Sequence, residues 1–468
     1  MLRRTTLFVA LVVAAVVAAV PPAGAATPGG ATGSAPSTPP AFYAFAPTPP
    51  MGWNSYDAFG DSVTEDEVLA NANYVKEKLL PHGWKYIVID FRWYDPEPTG
   101  DDHALNQKRT GAKLAADDFG RMIPAPNRFP SSAGGKGFKP LADKLHDMGL
   151  KFGFHYMRGI PRQAVNAKTP IADSNFTAAD AGDPRNTCGW CPDMYGVRDN
   201  EAGQAWYDAM FKLYASWGLD YIKVDDFSNP YRQPEIEMVR KAIDKCGRAI
   251  VLSTSAGPTP VNKADHVKTH ANLWRISGDF WDTWAKLNAQ FDLMNGWRDV
   301  AGPGHYPDAD MIPFGHICIR SKAGGNDRVS RYTHDEQTTL MAFWCLAPSP
   351  LMLGGNLPDN TAWDLVLITN DEVLAVDQDP LVQPATRIGQ QSRTEVWVRP
   401  LKDGSRAAGL FNRGDAAAPV TLNREGAKIS GQWAARDLWQ HKDLGEFESS
   451  MAQQVPAHGA VLLKLTRK

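Results

Sequence analysis

From residue 51 onward the chain alternates short, β-rich apolar runs with longer stretches in which apolar side chains recur every three or four positions, the pattern of parallel βα units. Eight runs predict strands: Met51–Tyr56, Tyr86–Phe91, Lys151–Met157, Tyr221–Asp225, Ala249–Ser255, Asn272–Ser277, Met311–His316 and Leu351–Gly355. Between them, Thr64-Glu65-Asp66-Glu67 reads as a capping box, followed by Val68, Ala72, Val75 and Leu79 on one helical face. A second helix is predicted from Pro234 to Cys246, stopping at Gly247. No GxGxxG turn follows an early strand, so the eight units predict a closed (β/α)8 TIM barrel over residues 42–382 rather than an open nucleotide-binding sheet.

Past residue 382 the rhythm changes. Short strand-like runs at Glu395–Val398, Ala407–Leu410, Val420–Leu422 and Val461–Leu465, punctuated by Gly and Asp, predict a small antiparallel β-sandwich over residues 383–468. The other end of the chain reads as an export signal over residues 1–25: Arg3 and Arg4, an apolar run from Leu7 to Val20, then Ala23-Gly24-Ala25 as a cleavage site. The run is short for a membrane span and ends in Pro21-Pro22, so a secreted protein without a membrane anchor is expected. The arginine pair leaves the Sec and twin-arginine routes both open. Residues 26–41, rich in Pro, Ala, Gly, Ser and Thr, read as a linker.

Composition narrows the partners. A net charge of −3 offers no basic field for a phosphate backbone, which excludes nucleic acid, while 15 tryptophans lean toward sugar faces. Five cysteines are too few for a disulfide scaffold; Cys188 and Cys191, three apart, are expected to form a local disulfide in an oxidising compartment. His266 and His270 invite a metal reading, but two exposed histidines on one helix face are expected instead.

Catalytic groups of such barrels sit at the C-terminal ends of the strands. Tyr221-Ile222-Lys223-Val224-Asp225 places Lys223 and Asp225 on one face, an ammonium beside a carboxylate that it keeps ionised. Leu273 to Asp279 ends in a second carboxyl, near Trp274, Phe280 and Trp281, whose rings would favour its protonated form. Ile87-Val88-Ile89-Asp90 supplies a third strand-end carboxylate, suited to accepting hydroxyl hydrogen bonds. Asp226 reads as structural. Two carboxyls in opposite protonation states are the equipment of acid-assisted displacement at an acetal carbon.

The blocks Met51-Gly52-Trp53-Asn54-Ser55-Tyr56, Tyr221 to Asp225, Trp274-Arg275 through Asp279, and Pro307-Asp308-Ala309-Asp310-Met311 resemble, in order, the signature blocks of glycoside hydrolase family 27, the α-galactosidase or melibiase family. The resemblance runs from about residue 50 to the C-terminus. It implies a retaining exo-glycosidase without metal or organic cofactor, acting on α-galactosyl ends of oligosaccharides or polysaccharides. By motif position Asp225 is the implied nucleophile, Asp279 the acid/base, and Trp53, Asp90, His155, Lys223, Ser255 and Arg275 the sugar-binding neighbours. Three departures unsettle the sugar. Phe91 follows Asp90 where the family pairs two aspartates, His155 stands where a Tyr is usual, and Ser253-Thr254-Ser255-Ala256-Gly257 replaces a Cys-Glu-Trp element. An isomaltosyl or α-glucosyl, β-L-arabinopyranosyl or α-N-acetylgalactosaminyl unit is therefore an alternative. So are two other classes: a metal-dependent hydrolase using Asp225, Asp226, His305 and Asp310, or a sugar-binding protein without catalysis.

Overall fold

A computed structural model describes residues 38–468 of the chain; the expected export signal, and the expected linker as far as residue 37, lie outside the described residues. Eight parallel strands form one sheet: β1 Met51–Asn54, β2 Tyr86–Ile89, β3 Lys151–Met157, β4 Tyr221–Asp225, β5 Val251–Thr254, β6 Leu273–Arg275, β7 Tyr306–Asp308 and β8 Leu351–Leu353, in the order 7-6-5-4-3-2-1-8. The two ends of that order meet. The Ile312 amide donates to Met352 O at 2.7 Å and Ile312 O accepts from the Gly354 amide at 3.0 Å, closing a (β/α)8 TIM barrel through one residue just past β7.

Seven of these strands lie within the runs legible in the sequence. The seventh does not: Met311–His316 was the expected run, and the strand is Tyr306–Asp308. Pro307, which lacks an amide hydrogen, marks that triplet as a breaker in the sequence, but a three-residue parallel strand tolerates it. The helix after Thr64 forms as read, α1 Glu65–Tyr74 with its capping box in place, and Val68, Ala72, Val75 and Leu79 are all fully buried. The helix read after Pro234 is α2 Gln233–Lys245, and Gly247, two residues past its end, has a φ of 79°.

The C-terminal region adds β9 Thr386–Gln391, β10 Thr394–Pro400, β11 Arg406–Asn412, β12 Ala418–Asn423, β13 Trp433–Asp437, β14 Lys442–Phe447, β15 Ser450–Val455 and β16 Ala460–Arg467. Six of them form one antiparallel sheet in the order 9-10-11-16-13-14, and β12 pairs with β15 in a second. Period-two alternation sorts the larger sheet's faces. On β10, Val396 and Val398 meet Val420 and Leu422 inside the sandwich. Trp397, between them, packs instead on Phe343 of the barrel's outer helices, with ring centroids 5.2 Å apart. No helix among the described residues is long and apolar enough to cross a membrane.

Candidate active site

Strand ends and the loops after them line one cavity of about 280 Å³ at the barrel mouth. Asp90, His155, Lys223, Asp225, Ser255, Arg275 and Asp279 were each singled out by the sequence; all but His155 line the cavity wall directly. His155 lies just behind it, fully buried, with Nε2 3.0 Å from Asp225 Oδ2. That approach is off the line of a hydrogen bond, so both ring nitrogens and Asp225 Oδ1 keep unused bonding capacity.

One ammonium organises this side of the pocket. Lys223 Nζ donates to Asp90 Oδ2 at 2.9 Å, and the Asn54 amide donates to the same oxygen at 2.7 Å. Burial works against ionising Asp225, but Lys223 and then His155 hold its carboxyl well below the usual carboxylate range. Asp90 is lowered by the same two neighbours against the same burial. Reciprocally, burial disfavours the Lys223 charge, and Asp90 and Asp225 more than restore it.

The opposite side is crowded with carboxyls. Arg275 Nη2 lies 2.5 Å from Asp310 Oδ2 and 3.4 Å from Asp279 Oδ1. The Asp310 backbone adopts φ 86°, a left-handed conformation costly for any residue but glycine. Local hydrogen bonds hold it there: its amide donates to Asp308 Oδ1 at 2.8 Å, and its own carboxylate accepts from the Met311 and Phe280 amides, each at 2.8 Å. Burial pushes the Asp310 carboxyl up to about 6 against the pull of Arg275, with Asp279 and Asp308 adding to the rise. Asp308 is raised by burial as well.

Asp57, in the turn after β1, is raised well above the carboxylate range by burial and then by the Asp310 charge. It is 1% exposed and its Oδ2 has no hydrogen-bond partner. Gly354 makes this position possible, since a Cβ there would lie 1.8 Å from that oxygen. Asp279 differs from its neighbours in being half-exposed, 48% for the side chain. Phe280 and Trp281 share its cavity, but Trp274 does not; it faces the other way, against Trp297 at 5.6 Å between ring centroids. The aromatic enclosure expected around Asp279 is therefore open on that side.

Four other expectations are corrected. Trp53 is fully buried outside the pocket, its indole donating to Gly355 O at 2.8 Å. Strand alternation explains the slip: Asn54 and Tyr56 share the inward face, and Tyr56 occupies the cavity with its hydroxyl donating to Asp101 Oδ2 at 2.5 Å. Cys188 and Cys191 are both free, buried thiols; the Cys188 sulfur turns to the Trp190 and Cys191 amides instead. His266 and His270 are half-buried rather than exposed, and His270 lies beyond the end of its helix. Of the metal-hydrolase set, Asp225 and Asp310 share the pocket, whereas Asp226 is bound by Arg158 at 2.5 Å and His305 stacks on Tyr43 at 4.5 Å. Asp57, Tyr56, Asp101, His103, Trp190 and Met311 line the pocket without having been selected from the sequence. Asp101, Trp190 and Met311 belong to loops, and Tyr56, Asp57 and His103 to one-turn helices, where only the Asn54–Tyr56 spacing offered a signal.

Phe91 forms the floor beside Asp90. It is buried, edge-on to His155 at 5.4 Å and tilted against Trp190 at 5.5 Å. Beyond Phe91, Arg92 pairs with Asp193 at 2.9 Å, tethering the loop that carries Trp190.

Residues 186–379 match the family model described as alpha galactosidase A, and residues 391–465 match that of the alpha galactosidase C-terminal beta sandwich domain. Alpha-galactosidase 3 of Arabidopsis thaliana is 30% identical over 90% of this chain and 82% of its own length; human alpha-galactosidase A is 25% identical over 90% and 89%. Among solved structures, a GH27 β-L-arabinopyranosidase of Geobacillus stearothermophilus in complex with arabinose superposes with a TM-score of 0.88. It is 45% identical and covers 92% of this chain and 99% of its own. A putative α-N-acetylgalactosaminidase of Bacillus halodurans is 40% identical over 90% and 97%, with a TM-score of 0.80.

Proposed function

Since the chain belongs to glycoside hydrolase family 27 and is a glycosidase, we propose that it is an exported, retaining exo-hydrolase that removes terminal β-L-arabinopyranosyl units, with α-D-galactosyl units its second substrate. The two sugars share ring configuration from C1 to C4, and the pentose lacks the C6 hydroxymethyl group. The carrying observation is Phe91, a buried ring beside Asp90 where the family's α-galactosidase pattern has a second carboxylate. A hydroxymethyl group placed there would lose its acceptor, while a CH2 ring edge would meet an apolar surface. The similarity to the arabinopyranosidase points the same way.

In this reading Asp225, ionised beside Lys223, attacks the anomeric carbon as the bond to the departing oxygen breaks, and Asp279 donates its proton to that oxygen. A glycosyl ester of opposite anomeric configuration results. Asp279 then takes a proton from water, whose oxygen displaces Asp225, and the second inversion restores the starting configuration. Asp90, Lys223 and Arg275 are assigned to the sugar hydroxyls. Asp279's exposure suits a group that exchanges its proton with solvent in each cycle.

The nitrophenyl β-L-arabinopyranoside and α-D-galactopyranoside are the deciding pair: kcat/KM is expected to favour the first, and the reverse order would overturn the sugar assignment while leaving the mechanism intact. One further reading has its own observation. Ser255, Ala256 and Gly257 leave a small-residue wall in the cavity, which suits a 2-acetamido group, as in the name of the Bacillus halodurans protein. Faster turnover of the N-acetylgalactosaminide than of either other glycoside would select it.

A further inference from the structure

On the outer surface of the barrel, α2 and the short helix α3 Ala264–Lys268 bring Glu237, which the sequence did not single out, beside the His266–His270 pair that it read as two exposed histidines. Glu237, His266 and His270 each offer one ligand atom, all within 4.8 Å of one another. The two imidazoles lie face to face, 4.1 Å between ring centroids and 17° between planes.

Their hydrogen bonds set which nitrogens are available. His270 Nδ1 lies 2.8 Å from the His266 carbonyl oxygen, which only accepts, so Nδ1 carries the hydrogen and Nε2 presents a lone pair. His266 Nδ1 lies 2.6 Å from the Tyr231 hydroxyl, and its Nε2 faces Glu237 Oε1 at 3.2 Å. A hydroxyl both donates and accepts, so Tyr231 fits either tautomer of His266, including the one with Nε2 bare. Gln233 steadies the carboxylate, donating to Glu237 Oε1 at 3.2 Å. Each candidate ligand thus has a second group orienting it, as metal-binding imidazoles and carboxylates usually do.

We propose that Glu237, His266 and His270 form a binding site for one divalent ion of the zinc class, independent of the active site. Two imidazoles and a carboxylate are the ligand types zinc takes, with water completing four positions. Ligands at about 2.0–2.1 Å from zinc stand roughly 3.3 Å apart, so the ion would draw the trio inward from its present spacing. Lys263, whose Nζ lies 3.4 Å from Gln233 Oε1, is the cation such an ion must displace or tolerate. The ion would clamp α2 to α3, the helices on either side of β5, whose following loop supplies Ser255 to Gly257 of the pocket wall.

Tag-free protein stripped with chelator and titrated with Zn2+ by calorimetry is expected to bind one equivalent, with a rise in Tm. Co2+ should give the visible absorption of a site containing nitrogen ligands. His270→Ala and Glu237→Gln should each weaken binding at least tenfold while keeping the fold, by circular dichroism, and the turnover of nitrophenyl glycosides. No binding by the wild type, or equal binding by wild type and both variants, would overturn the site. His266→Gln serves as a third variant, and unchanged binding in it would count the same way.

Discussion

On the side of the pocket built by β2, β3 and β4, Asp90 and Asp225 share Lys223 and the His155 imidazole, and both are held in the ionised form. On the side built around β1, β6 and β7, Asp57, Asp308 and Asp310 crowd together; Arg275 is the main cation for Asp308 and Asp310, Lys223 the one for Asp57, and burial with mutual repulsion still pushes all three toward protonation. Burial is common to both sides, so it cannot be the difference. The balance of cations to carboxyls is. Within one cavity the chain thereby favours ionised carboxylates on one wall and protonated carboxyls on the other.

The most severe way to break the contrast is to delete its ionised member. Asp225→Ala is expected to abolish turnover, with azide restoring part of it as a glycosyl azide of inverted configuration, read by NMR of the product. Asp279→Ala should cost about 10²–10⁴-fold on alkyl glycosides and far less on nitrophenyl glycosides; equal losses on both would remove Asp279 from the acid role. Lys223→Met removes the cation that acts most strongly on Asp90 and Asp225. Without it Asp225 rises toward its partners across the pocket, and the acid limb of kcat/KM should move up by about 1–3 pH units.

Phe91→Asp would sharpen the contrast by adding a carboxylate to the cation-rich side, and the ratio of galactoside to arabinopyranoside turnover should rise, whatever happens to the absolute rates. Asp57→Asn acts on stability rather than chemistry. A buried carboxyl whose folded pKa is raised contributes its stability below the ordinary carboxylate range, and that contribution is lost as pH rises toward the raised value. An amide has no such titration. The variant should therefore be more stable than wild type by about 1–3 kcal/mol at pH 8 and by less at pH 4, measured by denaturant unfolding.

The ionised side was the legible one. Lys223, Asp225 and Asp90 close apolar strands, where period-two alternation fixes the direction of each side chain before any fold is known. The other side is made of turns. Asp57 and Asp310 owe their places to a Gly354 contact and a left-handed backbone, neither of which leaves a periodic trace. Trp53 was misjudged by one residue for a related reason, since its neighbours Asn54 and Tyr56 hold the inward face of β1. In the C-terminal region the four strands legible in the sequence carry apolar runs. Those missed include Lys442–Phe447 and Ser450–Val455, whose polar, largely exposed residues hide the alternation.

The closure at Ile312 has a consequence for this asymmetry. Five successive residue pairs join β3 to β4 beneath Asp225, whereas the ring between β7 and β8 is fastened by a single stitch, two residues past Asp310. The proton-rich wall thus stands on the seam of the barrel and the ionised wall on its most firmly woven panel. Local opening at that stitch would reach the surroundings of Asp310 before those of Asp225, so the barrel's weakest join bears first on the raised carboxyls.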